Sequence, residues 1–110
     1  MTDDTTGGIM NQEKLDGLRS CLTKMRSRLG NIKFSEMVAL AHDLGRSQRP
    51  GSSPPIYISP LQGRRSLSIH YHSKTMKRGT AKGALNVLEG DIDAWEILLA
   101  EGTTTVNRNA

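Results

Sequence analysis

The chain has few of the residues that mark several classes of protein. It contains one cysteine, Cys21, so an internal disulfide and a cysteine-rich zinc site are excluded, and we expect a reducing cytoplasm as its compartment. No apolar run approaches the roughly 20 residues that a membrane span needs, and we recognise no secretory signal. Phe, Trp and Tyr together number only four among 110 residues. Aliphatic side chains and methionine must therefore form the core of what we expect to be one domain.

Acidic residues are absent from the middle of the chain. No aspartate or glutamate lies between Leu44 and Leu88. The basic residues of this stretch are Arg46, Arg49, Arg64, Arg65, Lys74, Lys77, Arg78 and Lys82. Such a basic stretch suits a polyanion, most simply nucleic acid. A solvated basic surface without a partner, or one that faces an acidic protein, is the alternative.

Two helices are predicted before the basic stretch. The first covers 10–29, with Asn11 as its N-cap, and ends at Gly30-Asn31. Its apolar residues recur at spacings of three and four and form one stripe; they are Leu15, Leu18, Leu22, Met25 and Leu29. The stripe either packs on its own domain or contacts a partner or a second copy. The second helix begins near Phe34, is capped by Ser35 and ends at Gly45.

Three short strands are predicted next. They lie near 46–49, where prolines limit pairing to an edge, at 56–58, and at 64–71, where apolar and polar residues alternate. In the last strand Leu67, Ile69 and Tyr71 share one face. The opposite face carries Ser66, Ser68, His70 and His72. The two histidines then lie about 6.5–7 Å apart on the polar face.

The remaining elements complete an α+β fold. Thr80 is expected to cap a third helix over 81–88 that ends at Gly90, and Asp91 to cap a fourth over 92–100. Helices on one face of a small antiparallel sheet are the expected architecture. We divide the chain into disordered tails at 1–9 and 102–110, an N-terminal helix at 10–30 and a main domain at 31–101.

The two histidines beside the basic turn admit three interpretations. A metal site needs at least one further ligand, and none is close in sequence, so we expect no metal and no other cofactor. Acid–base cleavage of RNA needs an imidazole that titrates near pH 7 and cations for the phosphate. His70 or His72 supplies the first, and Lys74, Lys77 and Arg78 supply the second. Two exposed histidines on a solvated strand are the third interpretation.

The turn KRGT at 77–80 has a physical use of its own, because a glycine and a helix N-terminus present free backbone N–H groups to an anion. The RNA-binding residues we expect are Arg49, Arg64, Arg65, Lys74, Lys77, Arg78, Gly79, Thr80 and Lys82.

Three ordered segments resemble a known family. NIKFSEMVALAHDLG, RPGSSPPIYISP and GRRSLSIHYHSKTMKRGTAKGAL are together similar to the HicA family of bacterial toxins, over 31–99. The matching residues are Gly45, Gly51, Ser52, Tyr57, His72, Lys77, Gly79, Thr80 and Leu85. The resemblance implies a fold like that of double-stranded-RNA-binding domains, preceded here by an extra helix. It also implies a HicB-like antitoxin as partner and cleavage of mRNA, which would inhibit translation.

The chain departs from the family at the catalytic histidine. Ser53 occupies that position, within GSSPP at 51–55, and a serine hydroxyl does not titrate in the range a general base needs. Either cleavage has been lost, which leaves an RNA-binding module, or His70 or His72 carries the proton transfer. A third hypothesis makes the protein an interaction subunit that docks through the stripe of its first helix.

Overall fold

Three helices and three short strands form the described part of the chain. The structure is a computed structural model and describes residues 10–51, 55–69 and 75–101. Its elements, in chain order, are helices α1 (Gln12–Arg26) and α2 (Phe34–Asp43), strands β1 (Ser47–Gln48), β2 (Ile56–Ile58) and β3 (Leu67–Ser68), and helix α3 (Arg78–Ala100). The α+β class is as predicted. The predicted tails, 1–9 and 102–110, lie outside the described residues.

Helix α1 begins as its sequence predicts. The Asn11 side chain accepts a hydrogen bond from the Lys14 backbone N–H at 2.8 Å, and this satisfies one of the N–H groups that a helix start leaves unpaired. The helix ends at Arg26, three residues before the predicted end, and Ser27 is its C-cap. Turns then lead to Gly30, whose φ of 97° favours glycine.

The stripe on α1 is part of the core of the domain. Leu15, Leu18, Leu22 and Met25 are all buried, and α1 packs chiefly against α3. Leu29 is partly buried against the same core. Of the two alternatives for this stripe, packing on its own domain is confirmed and a free docking surface for a partner or a second copy is not, because α3 covers the stripe within the same chain.

Helix α2 starts one position earlier than the predicted cap. Lys33 is the N-cap residue, and its backbone N–H donates to Glu36 Oε1 at 2.8 Å. Ser35 lies inside the helix instead of capping it, because Glu36 reaches back to the first turn and supplies the acceptor.

The end of α2 follows the sequence closely. Gly45 has a φ of 94°, a left-handed conformation that glycine adopts without strain. Its N–H donates to the His42 carbonyl at 2.8 Å, and the Arg46 N–H donates to the Ala41 carbonyl at 3.0 Å. This pair of bonds is the Schellman arrangement, which closes a helix and turns the chain away from its axis.

The sheet is antiparallel, with the strands in the order β1–β2–β3. Tyr57 pairs with Leu67, and both side chains are buried against the helices. Leu67 and Ile69 are buried while Ser68 is exposed, so the predicted alternation is confirmed over 67–69. The strand itself is shorter than predicted, and Tyr71, His70 and His72 lie outside the described residues.

Helix α3 is one continuous helix, which corrects the prediction of two. It starts at Arg78 with Lys77, not Thr80, as its N-cap, and it passes through Gly90 and Asp91 without interruption. Asp91 does not cap a new helix, because its carboxylate is buried and binds arginines from the approach to β1 and from the β2–β3 loop. The residues that α3 buries include Ala81, Ala84, Leu85, Leu88 and Ile92.

Ion pairs join the outer edges of α1 and α3. Arg19 binds Asp93 at 2.9 Å and Glu96 at 2.8 Å, and Arg26 binds Glu89 at 2.6 Å. Partly exposed pairs of this kind contribute at most about 1 kcal/mol each. Their main consequence is electrostatic: the exposed and partly exposed acids of α3, Glu89, Asp93 and Glu96, pair with α1, and no acid lies in the first turn of α3.

Candidate nucleic-acid interface

The N-terminal end of α3 presents unpaired backbone donors. Lys77 makes no capping hydrogen bond with its side chain. Within the described residues, the N–H groups of Arg78, Gly79 and Thr80 have no acceptor, and the first bond of the helix runs from the Ala81 N–H to the Lys77 carbonyl at 2.8 Å. Free N–H groups and the helix dipole together favour an anion at this point.

Exposed cations surround this helix end. Lys77 and Lys82 are exposed, and within the described part of the chain neither side chain has an ion-pair partner. Among the described residues, a Cβ at Gly79 or Gly83 would meet nothing within 4 Å. No described side chain therefore blocks the approach of a polyanion backbone at these two positions.

Lys33 belongs to the same surface, and sequence reasoning missed it. Residues 75–76 return beside the start of α2: Lys33 pairs with Thr75 in an antiparallel bridge, and the Met76 N–H donates to the Ile32 carbonyl at 2.8 Å. This pairing brings Lys33, which is exposed, next to the segment that enters α3. No local pattern could have shown it, because the two segments are about forty residues apart.

Arg78 has a structural contact as well as an exposed position. Its Nη1 donates to the Leu29 carbonyl at 2.7 Å, and its side chain lies against Gly30. Arg78 thus links the segment that follows α1 to the start of α3, and the residue as a whole is exposed.

Arg64 lies over the middle of α3, held by two contacts. Its Nε donates to Asp91 Oδ1 at 2.8 Å and its Nη2 donates to the Val87 carbonyl at 2.8 Å. Asp91 also binds Arg46 through two hydrogen bonds, of 2.7 Å and 2.9 Å. Arg46 and Asp91 have fully buried side chains, whereas that of Arg64 is 26% exposed.

The Arg46–Asp91–Arg64 network had one weak signal in the sequence. If α3 is taken as one helix, Asp91 falls on its apolar face, between Leu88 and Trp95, and an acid there needs a buried cation. The glycine before it suggested a helix end instead.

The other predicted site residues divide into exposed ones and ones that lie outside the described residues. Arg65 is exposed, and so is Arg49, whose backbone N–H pairs with the Ile56 carbonyl at 2.7 Å at the end of β1. Ser53, His70, His72 and Lys74 lie outside the described residues. The structure thus positions the cationic part of the predicted site, while the predicted catalytic residues belong to the segments it does not describe.

Two surface depressions are lined in part by α2. A shallow groove of about 510 Å³ runs along α2, lined by Phe34, Ser35, Val38, Ala39, His42 and Asp43. A second, of about 210 Å³, lies beside Trp95 and Pro60 and shares His42 and Asp43. His42 is exposed. In the described residues no three His, Cys, Asp or Glu side chains come together in a way that could hold a metal ion.

Comparison with known proteins gives no relative. No family model matches the chain, and no curated protein and no solved structure matches it significantly. The described helices are each too short or too polar to cross a bilayer. The site must therefore be interpreted from its own geometry and charge.

Proposed function

We propose that this protein is a HicA-like, RNA-directed domain that binds the RNA backbone through the first turns of α3. The observation that carries the proposal is the helix N-terminus at Arg78–Thr80, where three N–H groups have no acceptor among the described residues, no acid lies in the first turn, and the cations Lys77 and Lys82 are exposed. Phosphate suits such an end, because free N–H groups and the helix dipole favour an anion and exposed lysines add positive charge nearby.

The order of elements supports an RNA-binding domain of the double-stranded type. After α1 the chain runs α2–β1–β2–β3–α3 with an antiparallel sheet in sequential order, which is the arrangement that the resemblance to HicA toxins implies. Domains of that type contact phosphates and 2′-hydroxyl groups by shape more than by sequence. We therefore propose structured RNA, including mRNA, as the ligand.

The toxin activity and the antitoxin are part of the same proposal. If the protein acts as a toxin, its expression arrests growth, and co-expression of a HicB-like antitoxin relieves the arrest. Salt-sensitive RNA binding without arrest would instead favour the second candidate, an RNA-binding module that has lost cleavage. Ser53 at the position of the family's catalytic histidine is the observation that favours this second candidate.

RNA binding is tested by fluorescence anisotropy with a labelled duplex RNA over a range of salt concentrations. The double variant Lys77→Ala/Lys82→Ala should weaken binding and reduce the slope of log K against log salt by about two, since each lysine that neutralises a phosphate contributes roughly one to that slope. The matched control, Lys14→Ala/Lys24→Ala, removes the same charge from α1 and should bind nearly as tightly as the wild type. Equally weakened binding in both variants would show that only net charge matters and would overturn the assignment of the surface.

A further inference from the structure

The charges of the Arg46–Asp91–Arg64 network do not cancel. Arg46 and Asp91 form a fully buried pair with two hydrogen bonds between them, and Arg46 Nη1 also donates to the Tyr57 carbonyl at 2.8 Å. That pair is neutral and needs no further ion. Arg64 adds a second cation to the same carboxylate. The surplus positive charge of the network therefore lies on Arg64, the member with an exposed edge.

Arg64 also has donors left over. A guanidinium carries five N–H bonds, and two of its nitrogens, Nε and Nη2, each make one bond to α3. Among the described residues Nη1 has no acceptor. A cation that is fixed in place, half-buried and short of acceptors is satisfied by water or by an anion from outside the protein.

Gly90 makes this position possible. A Cβ on Gly90 would lie 2.5 Å from Arg64 Nη2 and 3.1 Å from its Cζ, so the guanidinium rests directly on the helix backbone. Glycine inside a helix costs about 1 kcal/mol relative to alanine. Glycine at position 90 is explained by the Arg64 guanidinium, which occupies the space that a larger side chain would need.

The open face of α3 connects Arg64 to the proposed RNA surface. At about 100° per residue, Gly79, Gly83 and Gly90 fall on one side of the helix, and Gly90 lies about 12 Å along the axis from Lys82. In the part of the chain that the structure describes, a Cβ at Gly79 or Gly83 would have no neighbour within 4 Å. The exposed and partly exposed acids of the C-terminal half, Glu89, Asp93 and Glu96, each pair with an arginine of α1.

We infer that Arg64 is a second phosphate contact of the RNA surface, oriented by Asp91 and the Val87 carbonyl. Asp91 is a positioning residue: it fixes the guanidinium over Gly90 so that the Nη1 edge points away from the helix core toward an RNA phosphodiester. This inference rests on the proposed function, since it assigns a further contact to the same ligand.

The test compares two variants that act on Arg64 in different ways. Arg64→Gln removes the charge and should weaken binding to the duplex RNA about tenfold, with a salt slope reduced by about one. Gly90→Ala changes no charge. The added Cβ displaces the Arg64 guanidinium from its position against the helix backbone at Gly90, so RNA binding should also weaken. Thermal unfolding of both variants verifies that they fold.

Each variant has a matched control on α1. Lys24→Gln removes one positive charge from an exposed position on α1. Gly17→Ala makes the same exchange at an exposed helical glycine with open space around it. Both should bind RNA within about twofold of the wild type, as expected of surface changes away from the contact.

A second readout separates this inference from the proposed function. In the wild-type protein, titration with inorganic pyrophosphate should shift the NMR signal of the Arg64 Nε–H. If the wild type binds RNA and Arg64→Gln binds equally well, the inference is overturned and the proposed function stands. If pyrophosphate shifts the Arg64 signal but RNA does not bind, the anion contact stands and the proposed function fails.

Two further outcomes also decide the matter. If neither RNA nor pyrophosphate binds, both ideas fail. If Arg64→Gln weakens RNA binding but Gly90→Ala does not, Arg64 contributes only its charge, and the positioning role of Asp91 over Gly90 is overturned.

Discussion

At the scale of single residues, Asp91 has the largest structural role in the described part of the chain. It is the one buried acid there, and it binds arginines that lie 45 and 27 residues before it in sequence. Through these bonds it ties the start of β1 and the loop before β3 to α3. Breaking a buried pair by removing one partner leaves an uncompensated charge in the core.

Asp91→Asn should therefore destabilise the protein strongly. Arg46 would stay buried without a counter-charge, and we expect the free energy of unfolding to fall by about 3–5 kcal/mol. Urea unfolding followed by circular dichroism measures the change. Asp93→Asn is the control, since Arg19 keeps Glu96 as a partner, and it should cost less than about 1 kcal/mol. Equal stability of Asp91→Asn and wild type would contradict the structural role of the network.

Glu36 gives the protein a pH dependence at low pH. The hydrogen bonds from Arg28, and next that from the Lys33 backbone N–H, lower the pKa of Glu36 from its usual value of 4.5. The unfolded chain therefore takes up this proton at a higher pH than the folded protein does. The stabilisation by ionised Glu36 is complete above the usual pKa and is lost as the pH falls through the lowered one.

The measurement compares wild type with Glu36→Gln by urea unfolding at several pH values, from neutrality down through the usual pKa of 4.5. The wild type should lose more stability than the variant below that pKa. The Glu36 side chain is 37% exposed, so the difference should be small, and it should shrink with added salt. Parallel pH profiles would show that the Arg28–Glu36 contact does not contribute.

At the scale of elements, local signals mark some helix boundaries correctly and fail at others. Asn11 caps α1 and Gly45 ends α2 as predicted, because a cap and a left-handed glycine act within one turn of the chain. Gly90-Asp91 carries the same kind of signal, a glycine stop followed by a capping acid, yet α3 continues through it. The helix continues because of tertiary contacts. Arg46 and Arg64 donate hydrogen bonds to the Asp91 carboxylate, and the Arg64 guanidinium occupies the space beside Gly90.

The predicted site shows the same limit. The KRGT turn at the start of α3 could be predicted as an anion site from its glycine and cations alone. The placement of Lys33 beside Thr75, and the fixing of Arg64 on α3, depend on contacts between distant segments. A single sequence carries no record of such contacts, so these two features needed the structure.

Helix α1 provides a prediction at the same scale. Leu22 is 2% exposed and belongs to the stripe that the sequence also allowed as a docking surface. Because that stripe is core, Leu22→Ala should lower the free energy of unfolding by about 2–5 kcal/mol. Sedimentation should show the same oligomeric state for variant and wild type. A variant that keeps its stability but no longer self-associates would revive the docking hypothesis.

At the scale of the whole molecule, the basic stretch is less uniform than its sequence suggests. Arg46 is buried, Arg64 and Arg78 are partly committed to internal contacts, and Lys74 lies outside the described residues. The charge that remains exposed near α3 is concentrated at its N-terminal end, with Lys33 added from α2. A local concentration of cations attracts a polyanion more effectively than the same charge spread over a surface.

RNA binding and RNA cleavage depend on different residues in such a protein, so one can be kept while the other is lost. The cations of the proposed interface are present, but Ser53 stands where the resembling family has its catalytic histidine, and removing a general base typically costs about 10²–10⁴ in rate. We expect purified protein to bind structured RNA and to cleave mRNA slowly or not at all, with His72→Ala indistinguishable from wild type in a gel assay. The variant Lys77→Ala/Lys82→Ala should bind RNA weakly. Cleavage by this variant at the wild-type rate would therefore come from a contaminating nuclease. Fast cleavage that disappears in His72→Ala would contradict this expectation and would assign the proton transfer to His72.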